Sequence, residues 1–282
     1  MLRLPLYQVD AFVDAAPFTG NPAAVCPLEA WPDDALMQAI AMENNQSETA
    51  FFVPGGTADA PMRLRWFTPT KEAAFCGHAT LASGHVFLTR LRPEAQSAVF
   101  DTRAGRLTVT RAAAIGGAAG YALDLPADGP QAVRGDHPDR ESLAAALGTP
   151  VEAVAEGRTW VAFLESAEAV AGLEPDLREI AKVPADGVIV TAPGGGEIGA
   201  GIDFVSRFFA PQSGIPEDPV TGSAHCRLAP YWAGRLGRQS LTARQLSPRG
   251  GTIRCTVAGD RVRLEGAAID YLEGTIAVPA PA

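Results

Sequence analysis

Residues 65–80 read RWFTPTKEAAFCGHAT, and residues 207–223 read RFFAPQSGIPEDPVTGS. Each stretch opens with Arg, two aromatic residues, a small residue and Pro, and each runs on to a Gly that begins a segment of small and apolar residues. Arg65 and Arg207 stand 142 positions apart, as do Pro69 and Pro211. The later glycines Gly77 and Gly222 stand 145 apart, and Arg103 and Arg249, in DTRAGRLTVT and SPRGGTIRCT, stand 146 apart. An offset that drifts by a few positions is what surface-loop insertions leave behind after a duplication. The chain therefore reads as a half of about 140 residues written twice, a period that must be found before any fold is assigned. Upstream, FFVP (51–54) faintly matches VTAP (190–193).

The repeated order of elements defines the fold class. MRLRWF (62–67) and IDFVSRFF (202–209) are rich in aromatic and branched residues, as strands are. After a polar, Pro-containing loop, GHATLASGHVFLTRL (77–91) and GSAHCRLAPYWAGRLG (222–237) carry apolar positions at helical spacing. Ala79, Ala82 and Gly84 make the first helix slim and apolar nearly all round, which suits burial inside a sheet, while Pro230 is expected to kink or shorten the second. The Arg-Gly segments then turn the chain back into β structure. Amphipathic helices are expected at 33–44, 140–147 and 175–182, with Asn44–Asn45 ending the first. The Gly/Ala-rich IGGAAG at 115–120 marks the junction. The expectation is an α+β chain of two pseudo-symmetric halves. Loops of the two would line a cleft, where helix N-termini at Gly77 and Gly222 suit a carboxylate.

Bulk properties exclude several classes. The net charge is −9, with no Lys/Arg cluster that could form a basic face, so nucleic acid is set aside as a partner. No apolar run reaches 18 residues, which excludes a membrane helix, and the opening MLRLPLYQVDAFVD lacks the apolar core of a signal peptide. Cys26, Cys76, Cys226 and Cys255 are widely spaced in a chain too large to need disulfides, so reduced thiols and a cytoplasmic location are expected.

Few residues carry chemistry. Counted from the Pro of each copy, Cys76 matches Asp218; counted from the helix Gly, the more rigid landmark, it matches Thr221. Cys76 reads as a buried small residue or a thiol at a cleft, Asp218 as a turn residue or a carboxylate of the site. His78 opens the first helix. Glu48 lies in ENNQSETAFFVP at a helix-to-strand corner, where it is either an ordinary exposed residue or an acid/base group desolvated by Phe51 and Phe52. FTGNPAAVC (18–26) turns at Gly20-Asn21-Pro22, with Asn21 a candidate substrate contact. The spacings C-x-H and H-C, the latter at His225-Cys226, are not zinc patterns, so no metal is expected. There is no G-x-G-x-x-G after a strand, no G-x-x-x-x-G-K-[ST] and no G-x-S-x-G, so no cofactor is expected and a hydrolase elbow is missing.

With these residues in view, the chain resembles the PhzF family, named for an isomerase of phenazine biosynthesis and sharing the diaminopimelate epimerase fold. The matching phrases are VDAF (9–12), GNPAAV (20–25), SETAF (47–51), FTP (67–69), CGHAT (76–80), EDPVTGSA (217–224) and RGG (249–251), in family order over almost the whole chain. The resemblance implies two β-rich halves, each a sheet wrapped around a central helix, with the active site between them. The halves would be 1–118, completed by a last strand near 274–279, and 119–273. It further implies a cofactor-independent enzyme, commonly dimeric. Its acid/base carboxylate falls on Glu48, its neighbouring polar residues on His78 and Asp218, and its substrate contacts on Ser223 and the backbone at Gly77 and Gly222. True diaminopimelate epimerases place a thiol before the helix in both halves; here Cys76 has Thr221 as its counterpart, which breaks a two-thiol mechanism. The expected function is an isomerase or epimerase of a small carboxylate-bearing metabolite that moves a proton between carbons. The alternatives are a Cys76-dependent epimerase and a binding protein that has lost turnover.

Overall fold

The repeated phrase folds as strand, loop and helix in both places. The computed structural model describes residues 1–14, 16–55, 60–129 and 132–279. In chain order the elements are β1 (Leu2–Val13), β2 (Asn21–Pro27), α1 (Asp34–Asn44), β3 (Glu48–Val53), β4 (Met62–Phe67), β5 (Glu72–Ala73), α2 (Gly77–Val86), β6 (Ser97–Thr102), β7 (Gly105–Ile115) and β8 (Ala118–Pro126). There follow α3 (Arg140–Leu147), β9 (Ala153–Ala155), β10 (Trp160–Phe163), α4 (Ala167–Ala171), α5 (Leu177–Ile180), β11 (Val188–Pro193), β12 (Phe204–Phe209), α6 (Gly222–Leu236), β13 (Ser240–Gln245), β14 (Gly251–Ala258) and β15 (Arg261–Val278). They form two units, one of Met1–Asp124 with Glu265–Ala282 and one of Leu125–Leu264. The expected junction at 115–120 contains the Gly116-Gly117 turn of the β7–β8 hairpin, both glycines at positive φ. The chain changes unit farther on, within β8, and returns within β15 rather than near 274.

Strand pairing shows that the duplication reaches well beyond the matched sequence. In the first unit β1–β2 is antiparallel, β2–β3 parallel, β3–β4 antiparallel, β4–β6 parallel and β6–β7 antiparallel. In the second unit β9–β10, β10–β11, β11–β12, β12–β13 and β13–β14 repeat that series term by term. Each parallel pair needs a crossover. Helix α2 lies in the β4-to-β6 connection and α6 in the β12-to-β13 connection.

In the first unit all ten residues of α2 are buried, as its small apolar composition predicts. A Cβ added at Gly84 would stand 2.5 Å from Val109, so the helix touches β7 where only glycine fits. The strand order β1-β2-β3-β4-β6-β7-β8-β15 returns to its start, because β15 also pairs with β1 from Leu2↔Val278 to Val13↔Ala267. The last strand is thus much longer than the 274–279 expected. Within β3, Phe51 and Val53 join Met37 and Ile40 of α1 in one core cluster. Side chains alternate along a strand, so Glu48, Ala50 and Phe52 take the other face. Helix α1 begins as expected, with Asp33 accepting from Leu36 N–H, and ends at Asn45 in the left-handed region. At its far end α2 is pinned by His85, whose Nδ1 lies 2.9 Å from Tyr121 Oη and whose Nε2 lies 3.0 Å from Asp270 Oδ1.

In the second unit the two faces of β11 divide the core. Val188, Val190 and Ala192 pack with Leu143 and Leu147 of α3, Val170 of α4 and Ile180 of α5. Thr191 instead receives a hydrogen bond from Trp232 of α6, whose ring stacks on Phe204 of β12. Helix α6 runs through Pro230 without being cut short. The segment 175–182 keeps only Leu177–Ile180 helical, because Asp176 caps it by accepting from the Arg178 and Glu179 N–H groups. The GNP turn also falls earlier than expected: Asn21 already begins β2, and the left-handed positions are Phe18 and Gly20.

Candidate active site

Glu48 is the first residue of β3, immediately after the corner that ends α1. Its face of the strand is the one toward α2, and its carboxylate Oε2 lies 3.4 Å from His78 Nε2. The other ring nitrogen, Nδ1, lies 3.5 Å from Cys76 Sγ. Three groups thus meet: a carboxylate 12% exposed along its side chain, an imidazole 5% exposed, and a buried thiol. The 3.4 Å contact is longer than a normal hydrogen bond, and Nε2 makes no hydrogen bond among the described residues. Burial pulls the His78 pKa down to about 3, so the ring is neutral around pH 7.

The same cluster stands at the mouth of α2. Cys76 is the N-cap in extended conformation, but its side chain makes no capping hydrogen bond. Thr80 Oγ instead donates to the Cys76 carbonyl at 2.5 Å. The first-turn N–H groups from Gly77 onward, with their partial positive charge, therefore remain for other acceptors. Asn21 is fully buried at the start of β2, two residues before Ala23, the register partner of Glu48.

The second unit builds its helix mouth differently. Thr221 is the N-cap of α6, so the helix glycine was the correct landmark and Thr221, not Asp218, is the counterpart of Cys76. Its hydroxyl donates to Asp218 Oδ2 at 2.5 Å, and its N–H donates to Gln245 Oε1 at 2.8 Å. Gln245 Nε2 donates to the Asp218 carbonyl at 2.6 Å, bracing the loop from β13. Asp218 is buried, Gly222 is buried, and Ser223 is exposed at the position equivalent to His78. His225, one turn in, lies 2.8 Å by Nδ1 from the Thr221 carbonyl. A carbonyl only accepts, so Nδ1 carries the proton. Burial pulls this ring down to about 4.

Register also identifies what opposes Glu48 in the repeat. Thr49 pairs with Phe67 in β3–β4, and Val188 pairs with Phe209 in β11–β12. The residue before each is Glu48 in one copy and Gly187 in the other. A Cβ at Gly187 would lie 2.8 Å from the Phe208 ring and 2.8 Å from the Phe209 carbonyl oxygen, so no side chain fits there.

Sequence reading missed the purpose of the repeated Arg. Arg65 pairs with Glu72 at 2.8 Å and Arg207 with Glu217 at 2.7 Å, each through two nitrogens to two oxygens of a carboxylate in its own loop. Each guanidinium also lies over the aromatic ring two residues on, Phe67 at 5.1 Å and Phe209 at 5.0 Å. An acidic residue in both loops after both Args was the available signal. The expectation of no metal rested on spacing within each copy. Glu48 comes from another element, and the ligating atoms of Glu48, Cys76 and His78 lie within 4.8 Å of one another.

Comparison with known proteins follows the same lines. The family model for phenazine biosynthesis-like proteins, PhzC-PhzF, matches residues 9–274. An uncharacterized isomerase of Pseudomonas aeruginosa is 45% identical over 98% of this chain and 99% of its own length. A crystal structure of a phenazine biosynthesis protein of the PhzF family from Enterococcus faecalis is 41% identical and superposes with a TM-score of 0.88 over 98% of this chain and 100% of its own. A probable proline racemase from Agrobacterium radiobacter, 12% identical, superposes with a TM-score of 0.62 over 99% of this chain and 93% of its own; it shares the fold. Among the described residues no helix is long and apolar enough to cross a membrane.

Proposed function

This chain belongs to the phenazine biosynthesis-like PhzC-PhzF family, and from that premise we propose that it is a cofactor-independent isomerase or epimerase of a small carboxylate-bearing metabolite. Glu48 carries the proton. The observation behind this reading is its carboxylate at the head of β3, 3.4 Å from a buried imidazole at an uncapped helix mouth. His78 is too hard to protonate to serve as the carrier near neutral pH. It orients Glu48 and contacts the substrate by hydrogen bonding. Glu48 removes a proton from a carbon activated by an adjacent carbonyl, imine or diene, and the same carboxyl returns it to another carbon or face.

The first-turn N–H groups of α2, from Gly77, are assigned to a substrate carboxylate. Asn21 is assigned to the substrate's positioning. The test begins with carboxylate-bearing metabolites screened by thermal shift. Hits are then followed by NMR in D₂O for exchange of carbon-bound hydrogen. Wild type should exchange deuterium into the true substrate, and Glu48→Gln should bind it and not exchange. Normal exchange by Glu48→Gln would overturn the assignment, and binding without exchange by wild type would favour a binding protein.

One observation supports a second reading. Cys76 Sγ, 3.5 Å from His78 Nδ1, is placed to act as a base in an epimerisation. Loss of exchange in Cys76→Ser, with protection of the thiol from iodoacetamide by the metabolite hit, would favour it. Full activity of that variant removes it.

A further inference from the structure

We propose that Glu48, Cys76 and His78 form a three-ligand site for a thiophilic divalent cation of the zinc type, with the fourth coordination position left open. Four-coordinate zinc binds sulfur at about 2.3 Å and nitrogen or oxygen at about 2.0–2.2 Å, which sets neighbouring ligand atoms roughly 3.3–3.6 Å apart. The carboxylate meets that spacing with His78 Nε2, at 3.4 Å, whereas the 3.5 Å contact of the thiol is to the other ring nitrogen, Nδ1, so an ion at Nε2 requires the Cys76 side chain to turn toward that edge of the ring. One ligand atom from each residue lies within 4.8 Å of the other two, so a rotation of the Cys76 side chain would bring all three within reach of one ion.

Two further features point the same way. The Nε2 atom of His78 is buried, makes no hydrogen bond among the described residues and faces the carboxylate. It is a lone pair or an N–H for which the fold supplies no strong partner, and a metal would satisfy it. Cys76 is the N-cap of α2 and its side chain makes no capping hydrogen bond, so the sulfur is not committed to the helix end. The donor set selects the metal: sulfur and nitrogen beside one oxygen suit zinc, whereas magnesium and calcium require oxygen throughout. Among the described residues the second unit has no such set at its helix mouth. Thr221 and Ser223 replace the thiol and imidazole, and Gly187 replaces the carboxylate.

A bound cation would engage Glu48 and withdraw it from proton transfer, so occupancy would act as an off-state; that clause alone rests on the isomerase reading. The test uses the full chain without an affinity tag and Co²⁺ as a spectroscopic stand-in for Zn²⁺. Wild type should bind one Co²⁺ per chain with a near-ultraviolet thiolate-to-metal charge-transfer band and visible bands of a four-coordinate ion, both lost on adding Zn²⁺. Cys76→Ser should lose the charge-transfer band. His78→Ala and Glu48→Gln should weaken Zn²⁺ binding by more than the ~10–100-fold that loss of an outer-shell partner costs. Cys226→Ser should keep the band. No band in wild type, a band retained in Cys76→Ser, or a band lost in Cys226→Ser would each overturn the site. Cys76→Ser and Glu48→Gln are nearly isosteric, and circular dichroism checks that they fold. Since no turnover is read, failure here leaves the isomerase reading standing, and normal exchange by Glu48→Gln leaves the metal site standing.

Discussion

The mouths of α2 and α6 descend from one sequence and have been put to opposite uses. At the first, a carboxylate, an imidazole and a thiol crowd together with few strong hydrogen bonds among them. At the second, Thr221, Asp218 and Gln245 bind one another at 2.5–2.8 Å, and the position matching Glu48 holds no side chain at all. Beneath both lies an identical brace, Arg to loop carboxylate and Arg over Phe. The two copies share the scaffold of the mouth and differ in what stands on it, a carboxylate, imidazole and thiol at looser contact in one and a tight hydrogen-bond network in the other. A polar network that is satisfied holds its geometry; at the first mouth His78 Nε2 makes no hydrogen bond among the described residues.

The comparison breaks most sharply at Glu48. Glu48→Gln should lower turnover of the true substrate by about 1000-fold or more with little change in binding, in the range general acid/base groups supply. Next come the braces. Arg207 and Glu217 have side chains only 10% and 16% exposed, so Arg207→Ala leaves a buried charge and should cost about 3–5 kcal/mol by denaturant unfolding. Arg65 is 22% exposed and also pairs with the exposed Asp34, so Arg65→Ala should cost about half as much or less. Equal losses would show that the braces do not differ in burial as described.

Acid sharpens the contrast further. His225 titrates near 4 when folded against about 6.5 unfolded, so between those values the unfolded chain binds the extra proton. Its contribution to stability is complete above pH 6.5 and is lost as pH falls toward 4, a loss of roughly 3 kcal/mol. His225→Gln should flatten that part of the stability–pH curve relative to wild type, and an unchanged slope would rule the assignment out. Smallest is Gly187→Ala, expected to lower stability by about 2 kcal/mol through overpacking against Phe208 and the Phe209 carbonyl. A neutral result in thermal unfolding would mean the counterpart of Glu48 was open to a side chain after all.

Much of this was legible before any coordinates. The 142-residue offset of Arg65 and Arg207 marked the duplication, and the small residues of α2 marked a helix buried on every side. Asn44–Asn45 marked the end of α1 because caps are local chemistry, and the helix expected from 33 begins at Asp34 with Asp33 as its cap. What was hidden is non-local. Glu48 and His78 are far apart in sequence and meet only because β3 directs alternate side chains at α2. Resemblance pointed to the pair; no spacing did. Gln245, which braces the α6 mouth from β13, carries no local mark, and neither does the length of β15, most of whose residues past Asp270 are exposed.

The path of β15 has a consequence for how the protein is made. The second unit is one unbroken run, Leu125–Leu264, whereas the first needs Glu265 onward to supply the partner of β1. During synthesis the strands of the downstream unit are all available before the upstream one can complete its pairing. The second unit can therefore complete its own pairing before the segment that closes the first has been made. β1 lacks its β15 partner until residues 265–278 have been made, so a stop codon before residue 265 would keep the strands β9–β14 of the second unit and remove that partner from the first.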